Sequence, residues 1–113
     1  DTLNGRIQVF GPDGSGEVRS LAAVTWQVSG WESTSRENKP FIATGPGGQV
    51  YFTVPERYYV ASTDGKGTVL TVWGGNGTDL ATFNLPIGVA VDAQGQVYVS
   101  DSGNGRVLVF TVP

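Results

Sequence analysis

The sequence predicts an all-β fold. Two observations carry that expectation: short apolar runs rich in Val, Ile, Tyr, Phe, Trp and Thr stop repeatedly at turn residues, and the same runs recur at a fixed spacing. Ile7–Phe10 is followed by Gly-Pro-Asp-Gly, Val50–Val54 by Pro55, Val69–Trp73 by Gly-Gly-Asn-Gly, and Val97–Val99 leads into Asp-Ser-Gly-Asn-Gly. No window of about eleven residues free of Gly and Pro holds an apolar stripe at helical spacing. Ser20–Val28 comes nearest to a helix, and its Val-Thr-Trp-Gln-Val ending suits a strand better.

The recurrence organises these runs. Asp1–Phe10 (DTLNGRIQVF) aligns without a gap on Asp101–Phe110 (DSGNGRVLVF) at an offset of 100 residues. A middle copy lies between them: Asn38-Lys-Pro matches Asn84-Leu-Pro at an offset of 46, while Gln49-Val-Tyr-Phe matches Gln96-Val-Tyr-Val and Trp26 matches Trp73 at 47. The unit is therefore 47 to 53 residues long, the longer spacing arising between Gly14 and Trp26. In the third copy the strands are expected at Gly88–Asp92, Gln96–Asp101 and Arg106–Thr111. The fourth strand of the unit is represented by Val69–Trp73 and Ala23–Val28 in the earlier copies.

Four antiparallel strands per unit of about 40–50 residues is the arithmetic of a β-propeller blade. Residues 1–28 would end one blade, 38–73 would form a middle blade, and 84–113 would supply the first three strands of a third. That is about two blades per chain. A ring needs about 4–8 blades, so closure is expected from oligomerisation or from flanking blades, and three copies would give six.

Composition narrows the chemistry. The 113 residues contain no Cys, His or Met, which excludes disulfides, thiolate nucleophiles, imidazole bases and His- or Cys-ligated metals. A net charge of −3 makes nucleic acid and anionic membrane poor partners. The longest apolar runs fall far short of the roughly 20 residues of a membrane-spanning helix, so no membrane insertion is expected. The chain opens at Asp1 without a signal peptide, which reads as processing or excision.

The third copy, running from Asn84 to Phe110, resembles the NHL repeat of six-bladed propellers. The resemblance rests on Pro86, Gly88, Asp92, Gly95, Tyr98, Asp101, Asn104, Arg106 and Phe110, with Asp1, Asn4, Arg6 and Phe10 supplying the tail of another copy. The middle copy departs from it: Gly45 stands at the Asp92 position, Val54 at the Asp101 position and Tyr59 at the Arg106 position. The resemblance implies a propeller fold and favours an extracytoplasmic location. It also implies an alternative activity, because six-bladed relatives include metal-dependent hydrolases and lyases with calcium or zinc on the axis. An RNA-binding relative would need a basic face, and seven basic against ten acidic residues argue against one.

Candidate residues follow from position. Asp92 and Asp101 could bind calcium or work as an acid–base pair. The stronger expectation is structural: Asp92 accepts backbone N–H groups at its turn, and Asp101 pairs with Arg106 across a hairpin, as Asp1 pairs with Arg6. Trp26 and Trp73 share a repeat position and are expected to pack between blades. Trp31 lies outside the repeat in a polar connection. With Glu32, Arg36 and Lys39 it is the first candidate for a partner contact. Glu56, Arg57, Tyr58 and Tyr59 form a Tyr- and Arg-bearing hairpin of the type that binds proteins. Asn76-Gly-Thr is a glycosylation acceptor sequence on an expected loop. Neither Gly-rich segment opens a helix, so neither is a phosphate loop. The sequence thus predicts a non-enzymatic scaffold or binding module, without catalytic residues, metal or cofactor. Its partners would be copies of itself (a trimer), flanking blades of a longer chain, or a protein or peptide ligand.

Overall fold

Residues whose side chains branch at Cβ or carry rings fill nine strands in the computed structural model, which describes residues 1, 4–11, 23–29 and 37–113. The strands are β1 (Arg6–Gly11), β2 (Ala23–Ser29), β3 (Ile42–Thr44), β4 (Val50–Val54), β5 (Tyr59–Thr63), β6 (Val69–Gly74), β7 (Pro86–Val91), β8 (Gln96–Asp101) and β9 (Arg106–Thr111). They make three antiparallel sheets with neighbours in chain order: β1–β2, β3–β4–β5–β6 and β7–β8–β9. The described residues contain no α-helix, as the absence of a helical stripe predicts. Each strand expected from the sequence is present within two residues. The largest shift is at β7, which starts at Pro86 and stops at Val91 because the Asp92 side chain folds back onto the following turn.

The repeat survives as geometry. The hairpins β3–β4, β5–β6 and β7–β8 turn through a glycine in the left-handed region, Gly48, Gly67 and Gly95, with φ of 79°, 87° and 82°. Asp64 Oδ1 accepts the N–H groups of Lys66 and Thr68 at 2.8 and 2.9 Å, and Asp92 Oδ1 those of Gln94 and Gln96 at 2.9 Å each. Gly45 has no carboxylate to offer in the β3–β4 turn. There Gln49 Oε1 accepts the Gly47 N–H at 2.9 Å instead.

Packing runs through the middle sheet. β4 is buried along its whole length because both its faces are covered. Phe52 and Val54 meet Ile7 of the first sheet, with Ala61, Val28 and Tyr59 alongside. On the opposite face Tyr51 and Val60 meet Val97, Val99 and Leu108 of the third sheet. The larger core is filled by Phe83, Trp73 and Phe110. Phe110 sits edge-on to both other rings, at centroid distances of 5.6 and 5.8 Å. The sheets therefore stack face to face in chain order. The stack measures 50 × 32 × 19 Å with a radius of gyration of 15.0 Å, against about 13 Å for a compact domain of this length.

Candidate functional site

The densest polar cluster joins the second sheet to the third. Asp101, at the end of β8, is completely buried. Its Oδ1 accepts the Asn84 N–H at 2.7 Å, and its Oδ2 accepts Asn104 Nδ2 at 2.7 Å and Arg106 Nε at 3.0 Å. Burying a carboxylate is tolerable only when donors replace its water, and here they do. Arg106 then reaches beyond its own hairpin. It donates to the carbonyls of Thr78 and Asp79 at 2.7 Å and of Thr82 at 3.1 Å, while Asn104 Nδ2 also reaches the Gly77 carbonyl at 2.9 Å. The pair does brace the β8–β9 hairpin. It also clamps residues 75–85, the connection between two sheets. Phe83 plugs that connection into the core, and the Gly75 N–H is accepted by the Tyr58 carbonyl at 2.8 Å.

The first sheet holds a copy of this clamp. Asn4 Nδ2 donates to both Asp1 carboxylate oxygens at 3.0 and 2.9 Å, and Arg6 Nε donates to Asp1 Oδ2 at 2.8 Å. The middle copy keeps the backbone and loses the ties. Pro55–Arg57 form the same short 3₁₀ turn as Ser102–Asn104, and Tyr58 occupies the left-handed position (φ 60°) that Gly5 and Gly105 (φ 62° each) hold in the other copies. Proline at the start of that turn presets its φ. Tyr59, at the position of Arg106, packs apolar against the core between the first two sheets.

The candidate contact residues separate into two groups. Trp31, Glu32 and Arg36 lie outside the described residues; Lys39 is described and exposed. Glu56, Arg57 and Tyr58 share one turn, the first two exposed and Tyr58 half-buried. Tyr59 lines a groove of about 180 Å³ with Ser29, Phe52, Ala61, Val69 and Val72. The side chain of Trp26 is likewise outside the described set, whereas Trp73 packs between sheets.

Thr53 is a bridge that sequence reasoning missed. Its buried Oγ1 accepts the Phe41 N–H at 2.9 Å and donates to the Ile87 carbonyl of the next sheet at 2.7 Å. Ser100, one repeat later, accepts the Gly88 N–H at 2.8 Å in the same way. A hydroxyl at the same position of two copies was the available signal.

Two titrations are displaced by their surroundings. The Tyr98 hydroxyl, bonded to Asp92 Oδ2 at 3.1 Å, is pushed above its ordinary value by that hydrogen bond and by the carboxylate charge. The Asp64 carboxyl is held below its ordinary value by the Thr68 and Lys66 backbone N–H groups. Among the described residues no three His, Cys, Asp or Glu side chains converge as a metal site. Asp92 points its oxygens at donors within its own hairpin, and Asp101 at donors in its hairpin and in the connection before β7. The arrangement holds the second and third sheets together.

Comparison with known proteins gives the same picture for the third sheet. Residues 83–110 match the family model of the NHL repeat. Human NHL repeat-containing protein 3 is 48% identical over 42 residues, which is 37% of this chain and 12% of that protein. The mouse protein of the same name is 50% identical over 42 residues, with the same coverage of 37% and 12%. Human E3 ubiquitin-protein ligase TRIM32 is 47% identical over 38 residues, or 34% of this chain and 6% of its own length. The matches thus span an eighth or less of these relatives.

Proposed function

We propose, from a chain that carries an NHL repeat over residues 83–110, that it is a non-enzymatic propeller segment acting as a scaffold for protein contact, its ring completed by further copies or by flanking blades. The observation that carries this reading is the stack itself. The central strand β4 of the middle sheet is covered on both faces, while the outward faces of the first and third sheets keep large apolar side chains in water: Phe10 is 55% exposed and Val107 63%. Apolar faces of that kind mark interaction sites. The two faces lie at opposite ends of one chain and are not the same surface. Association through them is head-to-tail, which closes a ring if the rotation allows. Three copies make six blades where the two-stranded first sheet of one copy and the three-stranded third sheet of the next complete one blade between them.

Further contacts are assigned to the loops. Glu56, Arg57, Tyr58 and Tyr59 are proposed as one contact for a protein or peptide ligand, and Trp31, Glu32, Arg36 and Lys39, the first three outside the described residues, as a second. Sedimentation equilibrium tests the scaffold reading. A mass near three times 11.9 kDa is expected, and one chain per particle at all concentrations would contradict self-association. Calorimetric titration with Ca²⁺ or Zn²⁺ is expected to give no binding heat, and a stoichiometric site would reinstate the metal-dependent alternative.

A further inference from the structure

β9 and β1 are two versions of one strand, and only β1 has the partner that such a strand takes. β1 pairs with β2 in the register Arg6↔Ser29, Ile7↔Val28, Gln8↔Gln27. β9 has a hydrogen-bonded neighbour on one side, β8, and none on the other among the described residues. We infer that β9 of one copy binds β2 of a second copy in place of that copy's β1, so that a composite sheet β7–β8–β9–β2 joins the two molecules. The inference rests on the scaffold reading above and specifies its interface.

Three further observations fit this occupant. Aligning the strands puts Arg106 opposite the second copy's Ser29 and Val107 opposite its Val28, where Ile7 otherwise sits. Ile7 is 3% exposed there, against Phe52, Val54 and Ala61. Val107 is now 63% exposed, and exchange buries it in that same apolar site. Second, Ile42 of β3 is 47% exposed, although its repeat counterpart Val89 packs onto the Tyr51–Val60 face of the sheet before it. The counterpart of that face is Tyr98 and Val107, so the second copy's Ile42 has a place to go. Third, Thr53 donates its hydroxyl proton across a sheet boundary to Ile87, whereas Ser100 accepts a bond from Gly88 and its proton is given to no described group. In the composite assembly the matching acceptor is the second copy's Pro40 carbonyl. An unpaired edge, an exposed apolar face and an unused donor all lie on the same side of the third sheet.

Exchange trades the β1–β2 ladder for one of nearly the same sequence and adds contact area that the single chain leaves in water. β1 is thereby released from β2. The native absence of cysteine makes the register directly testable. A Val28→Cys/Val107→Cys double variant of the whole chain, gently oxidised, is expected to give covalent multimers at least tenfold more abundantly than either single variant. A Val28→Cys/Val109→Cys pair, two residues out of register, is expected to fall to the single-variant level. Hydrogen exchange on the unmodified chain guards against a folding defect in the variants, since alternate β9 amides must slow on association. A multimer that neither links in register nor protects β9 overturns strand exchange and leaves the scaffold reading standing. A chain that stays monomeric overturns both.

Discussion

At Asp101 one carboxylate ties Asn84 of the connection before β7, the turn after β8 and the guanidinium that holds that connection. Removing it leaves the part-buried Arg106 guanidinium without its counter-charge and takes one partner from Asn104. Asp101→Ala is expected to cost about 3 kcal/mol in urea denaturation, as for a broken buried pair. Asp1→Ala, which breaks the solvent-facing copy of the pair, should cost less than about 1 kcal/mol. Tyr58 presents the opposite case, a bulky side chain at φ 60° where two other copies use glycine. Tyr58→Asn is expected to raise stability by about 1 kcal/mol by relieving left-handed strain, read as a higher urea midpoint. Asp64 adds a pH dependence with a definite sign. Its folded value lies below the ordinary 3.8, so its contribution is complete above that value and fades as pH falls through the folded value. Urea midpoints measured from about pH 5 down to about pH 2 should drop less steeply for Asp64→Asn than for the unaltered chain.

Among the elements, the segment between β6 and β7 controls how the sheets meet. Gly74 has φ 127°, and a Cβ there would collide with the Tyr58 carbonyl and the Phe83 ring. Gly74→Ala should therefore cost more than about 1 kcal/mol, visible as a lowered thermal midpoint and weaker Phe83 packing. Much of this level can be read from residues. β8 and β9 begin and end as their alternation and flanking turns predict, and the 47-residue offset locates β4 and β6 in a copy that has lost its Asp and Arg ties. The partners of Arg106 could not be read. They are the carbonyls of Thr78, Asp79 and Thr82, and a carbonyl belongs to every residue type. The same holds for Thr53, whose acceptor is the Ile87 backbone. Gln49 replacing a missing Asp was equally hidden, because side-chain reach within a turn depends on the turn already being formed.

For the whole molecule, the decisive property is that three sheets stack in chain order and the stack has two unlike open ends. The repeat spacing made the stacking legible. The composition could only say that apolar surface is plentiful, and the structure places part of it at the ends, Phe10 at one and Tyr98 and Val107 at the other, and part on β6 at Val69, Leu70 and Val72. In the proposed ring these ends meet, the first sheet of one copy and the third sheet of the next completing one blade. Small-angle X-ray scattering of the unaltered chain tests it most directly. A ring-shaped particle of about three chains is expected, with a radius of gyration well above 15.0 Å. A one-chain particle with a radius of gyration near 15.0 Å at every concentration would contradict it.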